Sequence, residues 1–405
     1  MAKTISNMAA KGAIKSIRGK DLGSLNALRY SARVNILCNE NPIITKRGFS
    51  LSRHKLAVNV RDVEAEKTFK NERDVPFLFL PHTVKKAYVV HEAMTSIPQV
   101  FDKYKWLTKT ISTPGLPVTY DEKVVEKEFV EAFHDSLQQA VSFQKSYRNK
   151  NQSRYINERI EYNMLINFIR LSMMVNSNLD HLSGDNSILY HNPLLETHWP
   201  RNYKFFQTKF RPTFVLRTKK RLEAIEKSEG LTQDEVDSIP GPYDNYALNV
   251  YRQHIVHLHN RPAMDNSTFN PIKHPHTTVI SNSRIRTQEQ FLSCATFSSF
   301  AQLIAQAQTV GTLHGTDLKE PLLTQCVVTN GHRICFMVYQ LNTLHLTDDK
   351  GLWNRCWYSP VLDMYERKNT EDHLNLIFED AIQSTKLEGF NETICKYFFN
   401  FFSKE

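Results

Sequence analysis

Residues 324–343 read TQCVVTNGHRICFMVYQLNT, and their reading decides the fold. Asn330-Gly331 stands between two runs rich in β-branched and aromatic residues, the strongest short-range signal for a β-hairpin. A two-residue turn on Asn330-Gly331 pairs Thr329 with His332, Val327 with Ile334, Gln325 with Phe336 and Leu323 with Val338. That face is mostly apolar and is expected to pack on a helix just upstream. The other face carries Cys326, Val328, Arg333, Cys335 and Met337. The same register sets Cys326 opposite Cys335 at a non-hydrogen-bonded pair, close enough for a disulfide.

Working outward, Thr287-Gln-Glu-Gln290 is a capping box that opens a helix over about 288–310, and Gly311 is its expected stop. Cys294, Phe297, Phe300, Ala301, Ile304 and Ala307 form one face. Ser298, Ala301 and Ala305 are small enough for a close neighbour. Residues 290–316 carry no formal charge, yet Gln302, Gln306 and Gln308 among Ser and Thr suit a buried helix rather than a membrane span. Farther upstream, Val125, Phe129, Phe133, Leu137 and Val141 recur every four residues. So do Ile156, Ile160, Met164, Phe168, Leu171 and Val175, which predicts two amphipathic helices. Met173-Met174 reads as core. A second capping box, Thr232-Gln-Asp-Glu235, opens a short helix before Pro240. The fold class is therefore mixed α/β: helices on a mainly antiparallel sheet that includes a hairpin over 322–340, preceded by an extended N-terminal segment. The domain reading is 1–30 presequence, 31–118 extended basic segment with a few short helices or strands, and 119–405 mixed α/β domain.

Composition narrows the chemistry. Of 405 residues, 41% are hydrophobic and 23% charged, an ordinary globular balance. Only 13 are glycine, and neither a GxxxxGK[ST] nor a GxGxxG phosphate-cradling loop occurs. The net charge is +9. Residues 1–120 hold 20 Lys and Arg against 9 Asp and Glu, and the remainder 31 against 33, so the basic excess lies wholly in the first third. Its leading part, MAKTISNMAAKGAIKSIRGKDLGSLNALRYSARVN, has the basic, acid-poor character of a mitochondrial presequence, with a processing site expected near Ser31. A retained basic arm that binds RNA is the other reading of the same residues. The six cysteines include no CxxC pair and read as free thiols in a reducing compartment.

The search for catalysis finds little. No GxSxG elbow or protease-type cysteine signature is present, and Asp348-Asp349 reads as a solvated turn. His254, His257, His259, His274 and His276 could supply metal nitrogens, but their spacing is irregular and their setting loop-like; they read as surface or RNA-facing histidines. The positive signal is RNYKFFQTKFRPTFVLRTKKR, residues 201–221, with eight basic residues, no acids and five aromatics. Lys204, Lys209, Arg211, Arg217, Lys219, Lys220 and Arg221 are the candidate phosphate-facing set. The aromatics either stack on exposed bases or anchor the segment in the core.

FSSFAQLIAQAQ (297–308), EPLLTQCVVTNGHRICFMVYQLNTL (320–344), NRCW (354–357), MYE (364–366) and GFN (389–391) together resemble a family of animal mitochondrial ribosomal proteins, the programmed cell death protein 9 type. WLTKT (106–110), GLP (115–117) and PHTTVI (275–280) are similar in style to its paralogue, large-subunit protein thirty-seven. The resemblance implies a non-enzymatic structural protein of the mitochondrial large ribosomal subunit, in the matrix, without a cofactor. It also implies contact with large-subunit ribosomal RNA and with neighbouring proteins, the paralogue above all. Two other readings stay open: a mitochondrial metal-dependent hydrolase using the His254–His276 histidines, and an RNA-binding factor acting off the ribosome.

Overall fold

The computed structural model describes residues 86–92, 97–120, 123, 125–146, 153–227, 241–254, 260–264, 272–365 and 389–404, all within one compact unit, Lys85–Glu405. The presequence, Cys38, the FLFL run at 77–80, the Thr232 capping box, His257 and His259 lie outside the described residues, as does the side chain of His254. The helices are α1 (Val100–Thr108), α2 (Lys127–Ser146), α3 (Ser153–Val175), α4 (Gln288–Thr309) and α5 (Glu392–Phe402). The strands are β1 (Lys86–Val89), β2 (Thr110–Pro114), β3 (Ser187–His191), β4 (Leu195–Arg201), β5 (Lys204–Phe210), β6 (Phe214–Thr218) and β7 (Tyr251–His254). They continue with β8 (Arg261–Pro262), β9 (His274–Ser281), β10 (Asp317–Thr329), β11 (Arg333–Thr343), β12 (Asn354–Tyr358) and β13 (Leu362–Asp363).

These strands form two sheets rather than one. The smaller runs β7-β1-β5-β4-β8 and the larger β2-β12-β11-β10-β9-β6-β3, with β13 on β11. Most pairings are antiparallel; β1 with β5, β9 with β10, and β2 with β12 are parallel. Mixed α/β is thus the architecture. Residues 86–114, read as part of the extended segment, give one strand to each sheet and the helix α1 between them. Tyr104, Trp106 and Leu107 of α1 are fully buried.

The hairpin forms, but one residue off centre. Thr329 pairs with Ile334, Val327 with Phe336 and Gln325 with Val338. The turn sits on Gly331-His332, because the Asn330 carboxamide oxygen accepts from the backbone N–H of His332 and Arg333 at 3.1 and 2.8 Å. Gly331 has φ +86°, the first central position of a type II′ turn, not the type I′ turn that Asn-Gly suggests. Moving the turn by one residue moves every pair by two and leaves each side chain on its face. Cys326 therefore opposes Met337 and Cys335 opposes Val328, so the expected Cys326–Cys335 pair is not made. Cys294, Cys326, Cys335, Cys356 and Cys395 are buried free thiols, and burial pushes Cys326 and Cys356 up to about 12.

The assignment of faces also reverses. Cys326, Val328, Cys335, Met337 and Tyr339 pack with α4, while Leu323, Val327, Ile334, Phe336 and Val338 pack with α2, α3 and α5. Both faces of the larger sheet are covered. The layers run small sheet, then α1 and α4, then large sheet, then α2, α3 and α5. Helix α4 contacts strands of both sheets, and every residue from Phe291 to Ala307 is buried. A helix enclosed on all sides carries no charged face, which explains the uncharged run at 290–316. Its capping box is present, and it ends with Gly311 donating to the Gln308 carbonyl and Thr312 to that of Ala307, at 3.1 and 3.0 Å. This is the Schellman arrangement.

On α2 the expected stripe is buried at Phe129, Phe133 and Leu137. On α3 it drifts. Met164 and Phe168 are buried, but Leu171 is partly exposed and Val175 more so, while Glu161, Leu165, Ile169, Ser172 and Asn176 turn inward. The three-residue step from Phe168 to Leu171 turns the stripe back to the Met164 side, whereas the buried face centres near Leu165 and Ser172, about 80–100° farther round a helix of 3.6 residues per turn. Met174, read as core, lies opposite that face and is 65% exposed.

Candidate nucleic-acid interface

The basic stretch 201–221 folds as β5 and β6 with their flanking turns. Phe206, Phe210 and Phe214 are buried; they anchor the segment. Tyr203 is 56% exposed. It and Asn202 form the β4–β5 turn, closed by the Arg201–Lys204 pair. Both have positive φ, 46° and 58°, as a type I′ turn requires.

Arg201, which the sequence reading left out of the candidate set, is fully buried under this turn. Its guanidinium donates to the carbonyls of Trp106, Leu346 and Asp348 at 2.7, 3.2 and 3.1 Å and to the Asp349 carboxylate. It lies 4.8 Å from the Trp106 ring. Beside it, the buried Lys109 ammonium donates to the carbonyls of His345 and Lys350 at 2.8 and 2.5 Å, and burial lowers its pKa to about 8. Asp348-Asp349, read as a solvated turn, thus helps to hold buried cations. Charge count alone could not reveal that; only the fold brings residues 109, 201 and 349 together.

The seven candidates divide. Arg217 is fully buried, donating to the Pro262 carbonyl at 2.6 Å, to the Lys273 carbonyl and to Gln306. It ties β6 to α4 and faces no solvent, because a β6 residue pointing between the layers must be enclosed. Lys209 pairs at 2.7 Å with buried Glu196, which Arg261 also approaches at 3.1 Å. Arg211 is exposed and donates to the Asn192 carbonyl at 2.8 Å. Lys204 is half-buried on the small sheet. Lys219, Lys220 and Arg221 are exposed past the end of β6.

These last three line an open cleft of about 750 Å³ with His274, Glu223 and Glu320. Arg221 and Glu320 form an ion pair. Burial, then the charges of Arg217, Arg221 and Lys273, hold the His274 pKa below the usual histidine value. The cations around His274 add positive charge to the cleft, which Glu223 and Glu320 offset in part. His276, a few residues on, is buried; its ring nitrogens meet the Thr277 hydroxyl at 2.8 Å and the Lys404 carbonyl at 3.0 Å. It reads neither as a surface nor as an RNA-facing histidine. Among the described residues no three His, Cys, Asp or Glu side chains converge as metal ligands, and no helix is long and apolar enough to cross a membrane.

Residues 274–405 match the family described as mitochondrial 28S ribosomal protein S30 (PDCD9). Over 299 residues the chain is 24% identical to large ribosomal subunit protein mL37 of Gallus gallus, covering 69% of this chain and 65% of that protein. The Mus musculus mL37 is 25% identical over 260 residues, 62% and 60% of the two chains. A 92-residue stretch reaches 34% identity with the Rattus norvegicus mL37, 22% of each chain. The matched parts span less than two thirds of these relatives' own lengths. The family match covers β9, α4, the hairpin and α5, where most of the quoted motifs lie, and all these similarities are to mitochondrial ribosomal proteins, of the PDCD9 and mL37 types.

Proposed function

We propose that this chain is a non-enzymatic structural constituent of the mitochondrial large ribosomal subunit, in the matrix, scaffolding ribosomal RNA and neighbouring proteins. The observation that carries this reading is the similarity to mL37 over 299 residues, which extends far beyond the hairpin. The geometry fits it. Buried polar groups such as Arg201, Arg217 and Lys109 are spent on joining layers, while Lys219, Lys220 and Arg221 offer positive charge around an open cleft. Such a molecule supplies shape and charge to an assembly. Residues 1–30 serve as the import presequence, and mL37 is the proposed protein neighbour.

Sedimentation of the tagged chain in mitochondrial lysate tests the proposal. Comigration with the large subunit and mL37 that survives moderate salt is the expected result. A slowly sedimenting soluble protein, or one travelling with the small subunit, would sink it.

A further inference from the structure

From Lys219 to Lys227 the chain carries no helix or strand, yet its course is fixed. The Lys219 N–H donates at 2.9 Å to the carbonyl of Asn186, just before β3. Arg221 pairs with Glu320 of β10, and Glu226 lies 3.4 Å from Arg355 of β12. In the strand order of the large sheet these contacts run from the β3 edge as far as β12, so residues 219–227 form a strap across it. Leu222 and Ile225 turn inward with the α2, α3 and α5 layer, while Lys219, Lys220 and Arg221 are exposed.

The far end of the strap is pinned by one side chain of the sheet. Gln340 of β11 is fully buried. Its carboxamide oxygen accepts from the backbone N–H of Ile225 and Glu226 at 2.9 and 3.3 Å. Its NH2 group donates to the Glu226 carbonyl at 2.8 Å and to the Asn342 side chain at 2.9 Å. All four hydrogen-bonding positions of the carboxamide are thereby used. A buried amide is unfavourable unless bonded, and three of these four bonds go to the strap. The β10–β11 ladder is backbone and needs none of them, so the polar group serves the strap.

The strap is also a wall of the cleft, which Lys219 to Ala224 line with His274, Glu320 and Pro321. The three cations stand between two pins, Asn186 and Gln340. Because Glu223 and Glu320 share the cleft, a phosphate contact depends on where the cations stand rather than on a uniformly positive surface. Basic side chains on a wandering segment must be ordered when they meet a phosphate chain; on a fixed segment most of that entropy is already lost.

We infer that Gln340 is a positioning residue for RNA: by latching Ile225 and Glu226 it holds the strap so that Lys219 and Lys220 meet phosphates in a fixed arrangement. This deepens the proposed ribosomal function and rests on it for the RNA.

Two measurements on the full chain test the latch, each for wild type and for Gln340→Met, which keeps the volume and loses the bonds. Hydrogen exchange, read by mass spectrometry, compares 221–227 with β10. Wild type should protect 221–227, and the variant should exchange it roughly tenfold faster while β10 keeps its protection. Fluorescence anisotropy with a labelled oligouridine RNA compares affinities across salt. The variant should bind about fivefold more weakly at an unchanged salt slope, since the same cations reach the phosphates once the strap is ordered. An unprotected strap in wild type overturns the inference without any variant having to fold. So does an equal loss of protection in β10, which would make Gln340 a core residue and nothing more. Unchanged RNA affinity in a variant whose strap exchanges freely also overturns it, as does a flatter slope, which signals lost contacts instead of lost placement. A wild-type chain with a protected strap that binds no oligouridine refutes the RNA reading itself, and the positioning role with it, while the latch stands.

Discussion

Gly331 shows how much of this fold hangs on single positions. At φ +86° it occupies backbone that side chains rarely adopt, and a Cβ there would lie 2.7 Å from Cγ of Glu161. Glu161, on α3, is itself buried and accepts from the Ser281 hydroxyl at the end of β9, so it has little freedom to withdraw. Gly315 has nearly the same φ, +84°, with nothing within 4 Å of its notional Cβ. Gly315→Ala should therefore cost only the backbone penalty, about 1 kcal/mol, whereas Gly331→Ala adds a collision and should cost about 2–3 kcal/mol. Urea denaturation of the two variants checks this, and equal losses would refute the role given to Glu161. The turn was legible in Asn330-Gly331. Its centre was not, because the Asn330 side chain competes for the N–H groups that an ideal turn would use otherwise.

Among elements, α4 and the β10–β11 hairpin were readable because their signals are local: a capping box, a C-terminal glycine, an Asn-Gly pair. Which layer covers which hairpin face was not, since both faces are apolar and the alternation of a strand only separates wet from dry. Likewise β1, α1 and β2 are short, and their stability comes from partners far along the chain. Strand β6 makes the same point for the site. The basic residues on it and just past it look alike in sequence, yet Arg217 is enclosed between the layers while Lys219 and Lys220, beyond the strand's end, are exposed. Arg217→Ala leaves two backbone carbonyls and Gln306 without their donor in a dry setting, a loss of about 3 kcal/mol or more at roughly 1–3 per orphaned group. Lys219→Glu with Lys220→Glu should change stability by no more than about 0.5 kcal/mol while flattening the salt dependence of RNA association. Denaturation curves and binding titrations across salt separate the two, and an Arg217→Ala chain of normal stability would return that residue to the phosphate-facing set.

At the scale of the molecule, stability depends on how the layers are joined, and His276 is one such joint. It sits on β9 in the large sheet, stacks on His181 with ring centroids 5.4 Å apart, and reaches the Lys404 carbonyl just past α5. Burial lowers its pKa to about 4, against the opposing pull of the Lys404 carbonyl. In the unfolded chain the same ring titrates near the ordinary histidine value of 6.5. Above 6.5 the ring is neutral in both states and costs nothing. As pH falls from 6.5 towards 4 the unfolded chain takes up a proton that the folded chain refuses, so stability declines across that window and no further below it. The full loss is roughly 3 kcal/mol. His276→Gln keeps an amide donor for the Lys404 carbonyl but cannot titrate, so the advantage of wild type over this variant should shrink steadily between pH 6.5 and 4. Melting temperatures of both proteins across that range measure it. A constant difference would mean that His276 charges freely in the folded state, and that water reaches the junction of α5 with the large sheet.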